Sequence, residues 1–189
     1  MAKGNITVSV SDKELNRAVK KITRVSNAAS EEFGRAVNKT TTNLHSKAVL
    51  AAPADRGRLR QSIHMRVRRS KVLGYTLTGE VYSDAFYAPY VEFGTKSHFR
   101  VTQGVPNLEQ YAAQFKGSAG RSSGRSIFDN IKAWLRRTGH LPVEAAYFVT
   151  MKILEQGTKA QPFLFPAYPY EKRKYYAAVR KIITKYSAK

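Results

Sequence analysis

The residue types able to do chemistry are few in this chain, and they are scattered. Its four histidines, His45, His64, His98 and His140, lie far apart. None sits in a metal-ligand spacing such as H-E-x-x-H. There is no Cys, which excludes disulfides, thiolate metal ligation and a thiol nucleophile. No G-x-S-x-G elbow is present to carry a nucleophilic serine. A metal-dependent nuclease needs carboxylates gathered around its ions, but Asp84, Glu92 and Asp129 are isolated from one another in sequence. Gly117-Ser-Ala-Gly-Arg-Ser-Ser-Gly-Arg-Ser126 precedes a helical pattern and invites comparison with a phosphate-binding loop. That comparison fails, because the spacing is wrong, Arg125 stands where such a loop has Lys, and no buried strand comes before it. The sequence therefore predicts no catalytic residue, no cofactor and no metal site.

Charge is the stronger signal. Thirty-three basic residues against 13 acidic ones give a net charge of +20 and a pI near 10.3. Such a surplus favours a polyanionic partner, either nucleic acid, a membrane surface or acidic protein surfaces. It is concentrated in two stretches. Arg56, Arg58, Arg60, Arg66, Arg68, Arg69 and Lys71 are unopposed by any acid up to Gly79, and the chain after Glu171 is again purely basic. An arginine-bearing hairpin can lie along phosphates without reading bases, and no recognised DNA-reading motif accompanies it. Arg66, Arg68 and Arg69 are thus candidate contacts to DNA or to an acidic partner. No apolar run approaches the roughly 20 residues that span a bilayer, and no membrane role is expected. The opening Met-Ala-Lys-Gly-Asn carries no apolar signal core, so a cytosolic protein, or one packed into a particle assembled there, is expected.

With 42% hydrophobic residues in 189, the chain can bury a core of its own. Ile6 to Val10 alternates like a strand. Ser11-Asp-Lys-Glu14 reads as a capping box. Behind it Leu15, Val19, Ile22, Val25, Ala29, Phe33, Val37, Thr40, Leu44 and Ala48 recur at three- and four-residue steps. The pattern predicts one helix of about 38 residues, roughly 57 Å long, ending before Pro53, with Gly34 as the place for a bend. Ile63–Val67 and Tyr75–Tyr82 are predicted strands of a hairpin, with Met65, Val67, Tyr75, Leu77 and Val81 on an apolar side and Arg66 and Arg68 on a basic one. From Thr95 to Ser126 no element is predicted. A helix capped by Ser126 follows, with Phe128, Ile131, Trp134 and Leu135 inward. Another opens at Leu141-Pro142, with Ala145, Phe148, Val149, Ile153 and Leu154 inward, and stops at Gly157. A basic helix from about Tyr170 to Ser187 closes the chain on a stripe of Tyr175, Val179, Ile182, Ile183 and Tyr186.

Three motifs remain, and none has a catalytic make-up. Ala52-Pro-Ala-Asp-Arg-Gly-Arg-Leu-Arg-Gln-Ser-Ile63 is a turn followed by anchors: Asp55 suits backbone amides, Gly57 gives torsional freedom, and Leu59 and Ile63 pack. Tyr87-Ala-Pro-Tyr-Val-Glu-Phe-Gly-Thr95 and Gly157-Thr-Lys-Ala-Gln-Pro-Phe-Leu-Phe-Pro-Ala167 set aromatics beside Pro and Gly. Such segments fix backbone direction and offer large rings for packing.

Together these motifs resemble the neck (head–tail joining, minor tail, tail-completion) family of long-tailed bacteriophages. The first matches at Pro53, Asp55, Gly57, Leu59, Arg60, Ser62 and Ile63, with Arg56 in place of the usual Thr. The second matches at Tyr87, Tyr90, Val91, Glu92, Phe93, Gly94 and Thr95, and the third from Gln161, Pro162 and Phe163 to Ala167. The resemblance implies an α+β domain spanning 1–189, with a long N-terminal helix and a C-terminal helix on a small antiparallel sheet, and an insertion at about 96–142. It implies a non-enzymatic virion protein forming a ring around the DNA channel at the head–tail junction, six-fold or else twelve-fold. Head-closure or adaptor proteins would lie on one side and tail-terminator or tail-tube proteins on the other. A tail-completion protein capping the tube is the alternative, and a nonspecific DNA-binding protein a more distant one.

Overall fold

The computed structural model describes residues 6–10, 27–54, 56–70, 76–116 and 127–187. The fold is α+β, and the chain divides into two compact units. The first comprises Met1–Ala88, Thr102–Val105 and Pro162–Lys189; the second comprises Pro89–Val101 and Pro106–Gln161.

In the first unit, strand β1 is Ile6–Val10 and helix α1 is described over Asn27–Ala51. A short helix α2, Arg58–Gln61, leads into β2, Ile63–Ser70, and β3, Thr76–Ser83. The sheet is antiparallel in the order β1-β3-β2. The apolar period of α1 does what its spacing predicts: Ala29, Phe33, Val37, Leu44 and Ala48 are buried, with Thr40 and Thr41 beside them. The helix runs through Gly34 without a break. The predicted capping box Ser11–Glu14 and the first turns with Leu15, Val19, Ile22 and Val25 lie outside the described residues.

Gly79 explains how closely α1 lies on the sheet. A Cβ there would collide with the Thr41 hydroxyl and stand 3.2 Å from Thr41 Cβ and 3.3 Å from Val37 Cγ1. Thr41 Oγ1 donates to Val37 O at 2.8 Å, so its hydroxyl is satisfied inside the helix as it faces the strand. Only a residue without a side chain permits this approach. The hairpin faces follow the alternation expected. Ile63, Met65 and Val67 stand opposite Ser83, Val81 and Gly79, while His64, Arg66 and Arg68 stand opposite Tyr82, Glu80 and Thr78.

The closing helix of this unit, Tyr168–Ser187 (named α7 below), packs on α1 through Tyr175, Val179 and Ile182. Ile183 and Tyr186 are half-buried at the margin of that stripe. Two polar ties run between the helices. Glu32 accepts from Lys185 at 2.5 Å and from the Tyr186 hydroxyl at 3.1 Å. At the other end Glu171 accepts from Lys47 at 2.6 Å and Asn43 at 3.3 Å. An early residue of one helix meets a late residue of the other in both cases, so α1 and α7 are antiparallel.

The second unit begins along helix α3, Ala88–Phe93, and continues through a turn of 3-10 helix at Lys96–His98 to helix α4, Leu108–Ala113. The sequence predicts no element where α4 lies. Leu108, Ala112 and Phe115 are nonetheless buried, and Phe115 stacks on Phe93 at 6.3 Å while meeting the edges of Tyr90 and Tyr111 at 5.7 and 5.3 Å. Such ring pairs add to plain burial, which holds a six-residue helix that propensity alone would not. Helix α5, Ile127–Thr138, buries Leu135, and Val143–Ala145 is a 3-10 turn opening helix α6, Ala146–Gln156. Ser126 and the Gly/Ser-rich stretch before it lie outside the described residues.

Helix α6 corrects the sequence reading. Its buried residues are Ala146 and Thr150, flanked by half-buried Val149 and Ile153. Phe148, expected inward, is 74% exposed, and Leu154 is 41% exposed. The small Ala146 and Thr150, one turn apart, lie on the inward face of a helix that contacts α5. That rotates the rings out.

Among the described residues of the first unit, Glu171 is the buried charge, 1% exposed. Burial pushes its carboxyl up, but the hydrogen bonds from Lys47 and Asn43 outweigh burial and hold it below the ordinary glutamate range. A carboxylate lowered in the folded state stabilises the fold above the ordinary pKa, and that contribution is lost as pH falls through the folded value. Lys47 keeps 43% of its side chain in solvent, so breaking the pair strands less charge than in a fully buried one. Glu171→Gln is expected to lower stability at pH 7 by about 1–3 kcal/mol. The gap to wild type should close below about pH 4. Urea unfolding followed across pH checks this; a gap that persists unchanged at pH 3 contradicts it.

Candidate assembly surfaces

The Pro53–Ile63 segment clips the end of α1 to the start of β2. Gly57 sits at φ 70°, the left-handed region, immediately before α2. Arg60 Nε donates to Ala52 O at 2.9 Å, placing a cation on the carbonyl that follows α1. Leu59 and Ile63 are buried. Ser62 Oγ donates to Leu59 O at 2.7 Å and lies 2.8 Å from Ser83 Oγ. Pro53 is half-buried, and Asp55 lies outside the described residues.

The second motif and the start of the third interleave within the second unit. Gln161 N donates to Val91 O at 2.8 Å, and Thr95 N to Thr158 O at 3.0 Å. Thr158 N returns a bond to Thr95 Oγ1 at 2.9 Å. Two left-handed glycines make room for this lacing. A Cβ on Gly94, at φ 68°, would lie 2.6 Å from Ala160 N and from His98 O. A Cβ on Gly157, at φ 86°, would strike the Thr95 carbonyl. The same segment supplies donors to three of the four orphan carbonyls at the end of α6. Lys96 Nζ donates to Leu154 O, Ser97 Oγ to Gln156 O at 2.7 Å, and Gly157 N to Ile153 O at 2.9 Å.

Most motif side chains are therefore inside. Glu92, Phe93, Gly94 and Phe163 are buried, as are Leu164 and Phe165 beside them. Tyr87 and Tyr90 are half-buried; burial pushes the Tyr87 hydroxyl up against the opposing charge of Arg58. Gln161 and Pro162 are exposed.

The surface a neighbour can reach carries other residues. On α6, Tyr147, Phe148, Met151 and Leu154 form one outward stripe, 58%, 74%, 47% and 41% exposed. Sequence reasoning missed this stripe because α6 is apolar on nearly every side, and a helix of that kind reads as buried all round. The basic hairpin is the second surface. Arg66 donates to Glu80 and its guanidinium lies 4.9 Å over the Tyr82 ring, while Arg68 stands 4.0 Å from the same carboxylate. Arg69, grouped with them by charge, falls on the opposite face of the strand, across from Leu77. Other cations are engaged with rings, Lys47 and Lys174 lying 4.3 and 4.4 Å over Tyr170. Among the described residues no group of His, Asp and Glu is placed to hold a metal, and no helix is long and apolar enough to cross a membrane.

Residues 13–94 match the model of the HK97-gp10-like family, described as "Bacteriophage HK97-gp10, putative tail-component". The matched span holds α1, the hairpin, the first motif and the second as far as Gly94, and it agrees with the resemblance to a phage neck and tail-completion family carried by those motifs. No curated protein and no solved structure matches the chain.

The glycines allow a direct comparison. Gly139 has φ 64° but open space where a Cβ would go. Gly139→Ala is expected to cost about 1–2 kcal/mol from backbone strain alone. Gly94→Ala adds backbone overlap to the same strain and is expected to cost about 2–3 kcal/mol more. Chemical denaturation of the two variants checks the difference; equal losses would contradict the lacing described.

Proposed function

We propose that this protein, matched over residues 13–94 by a family of phage tail components, is a non-enzymatic structural part of the virion. In this reading copies of it close into a ring around the DNA channel at the head–tail junction, between head-closing proteins and the tail tube. The observation that carries the reading is the outward face of α6, where four large apolar side chains stand contiguous and exposed. Such a patch marks a contact surface rather than ordinary surface.

Magnitude decides how that face is used. Burying about 300 Å² of it would favour association by roughly 7 kcal/mol. Association itself costs about 4–15 kcal/mol in lost freedom. One such face gives weak pairing, so the ring closes only when a partner surface holds the copies together. Subunits of charge +20 also repel one another, which favours acidic neighbours as that partner. Six-fold closure is the first choice and twelve-fold the second. The basic residues divide between acidic neighbours and a minority facing DNA, since a strongly adhesive channel wall would oppose its passage.

A second reading has its own support. The matched family is described as a tail component, which favours a tail-completion protein seated on the end of the tube. The two readings differ in the position of the ring, not in its make-up.

Purified protein is expected to sediment as a monomer or weak oligomer at micromolar concentration. Phe148→Glu, on a side chain already 74% exposed, should shift stability by no more than about 0.5 kcal/mol. It should nonetheless keep the protein out of particles, read by mass spectrometry of purified virions from a complemented null strain. A stable ring without partners, or normal incorporation of Phe148→Glu, contradicts the proposal.

A further inference from the structure

Among the described residues the sheet ends on β2, and no strand pairs with its outer side. Ser62 O accepts from Asp84 N at 3.2 Å, which sets the phase of the ladder, since hydrogen-bonded pairs alternate along an antiparallel pair. His64, Arg66 and Arg68 therefore turn their backbone groups toward β3. Ile63, Met65, Val67 and Arg69 turn theirs outward. Ile63 O receives His45 Nε2 at 3.1 Å. The backbone groups of Met65, Val67 and Arg69 have no partner among the described residues.

An open edge is usually guarded, by shortness, a proline, a bulge or inward charge. This one is eight residues long, contains no proline, and pairs with β3 in unbroken register from Ile63↔Ser83 to Ser70↔Thr76. Its side chains are sorted. Met65 and Val67, 47% and 38% exposed, stand on the α1 side. Arg66 and Arg68 stand on the other, sharing Glu80 as their only acid among the described residues, and Arg69 is exposed. Three arginines against one glutamate leave the strand positive. A second copy of β2 laid alongside would set arginine against arginine, which opposes pairing. The same charges attract a strand with carboxylates at alternate positions.

We propose that the outer edge of β2 is a strand-addition site for an extended, acidic segment of a different polypeptide. Its backbone pairs with Met65, Val67 and Arg69. Its apolar residues cover Met65 and Val67, and its Asp or Glu side chains meet Arg66 and Arg68. Main-chain bonds give such a contact its affinity, and the alternation of side chains gives it its choice of partner. The inference needs neither a ring nor a position in the particle, so it stands or falls apart from the proposed function.

The probe is acetyl-Thr-Val-Glu-Val-Glu-Val-Glu-Thr-amide, labelled and titrated with the purified full chain by fluorescence anisotropy. It is expected to bind, more weakly as salt rises. The same peptide with Lys for Glu should not bind. Two N-methylated versions, one methylated at every Val and one at every Glu, remove opposite edges of the peptide. One should lose binding and the other keep it. Val67→Pro removes a donor that does not belong to the β3 ladder, so it should leave the circular dichroism unchanged and weaken binding ten-fold or more. Should that variant fold poorly, the Arg68→Glu variant decides, because with Arg66 already paired to Glu80 it should lose the Glu peptide and gain the Lys one. The proposal is overturned if both N-methylated peptides bind like the parent, or if a folded Val67→Pro keeps full affinity. Competition by duplex DNA that Val67→Pro leaves untouched, together with that full affinity, would assign the arginines to phosphates instead.

Discussion

The close approach of α1 to β3 at Gly79 is the constraint from which the first unit follows. With no side chain at that position, Thr41 and Val37 reach the strand and the helix lies flat on the sheet. One face of α1 then covers Ile63 and Val81, and its adjacent face takes α7 through Tyr175, Val179 and Ile182. The two polar ties, Glu32 with Lys185 and Glu171 with Lys47, set the register of a helix pair that the apolar stripes alone would let slide. The covered side of the sheet is fixed by the helix, so Arg66 and Arg68 have only the other side and the edge on which to act.

The second unit rests on a different device. Two short chain segments, Val91–Thr95 and Gly157–Gln161, run against each other closely enough that neither Gly94 nor Gly157 can carry a Cβ. The same stretch also supplies donors to the carbonyl end of α6. A helix whose end is held in this way can expose a large apolar stripe without fraying. The motifs that point to a phage family thus serve mainly to build the scaffold. The reachable surface, on α6 and β2, lies outside their most distinctive residues.

Much of this was legible in the sequence where one face is apolar and the other polar. The stripes of α1 and α7 and the two faces of the hairpin follow directly from their periods. Helix α4 was not legible, because only Leu108, Ala112 and Phe115 mark it and its stability comes from distant rings at Tyr90 and Phe93. The outward face of α6 was hidden for the opposite reason. With apolar residues all round, Ala146-Tyr-Phe-Val-Thr-Met-Lys-Ile-Leu154 has no unique inward stripe, and the small Ala146 and Thr150 decided the matter. The acid-free run that ends at Gly79 also misled by one residue, since Glu80 is the acid that Arg66 and Arg68 meet.

A very basic chain with one outward apolar helix face and one positive sheet edge is suited to sit among unlike neighbours rather than to act alone. The proposed function requires the outward face of α6 to be covered inside a particle. Imaging the native virion to a resolution that separates strands tests it most directly. The expected result is a closed ring of this fold at the head-proximal end of the tail, with the α6 face covered by a neighbour. Particles that lack the protein, or that hold it with the α6 face open to solvent, would contradict it.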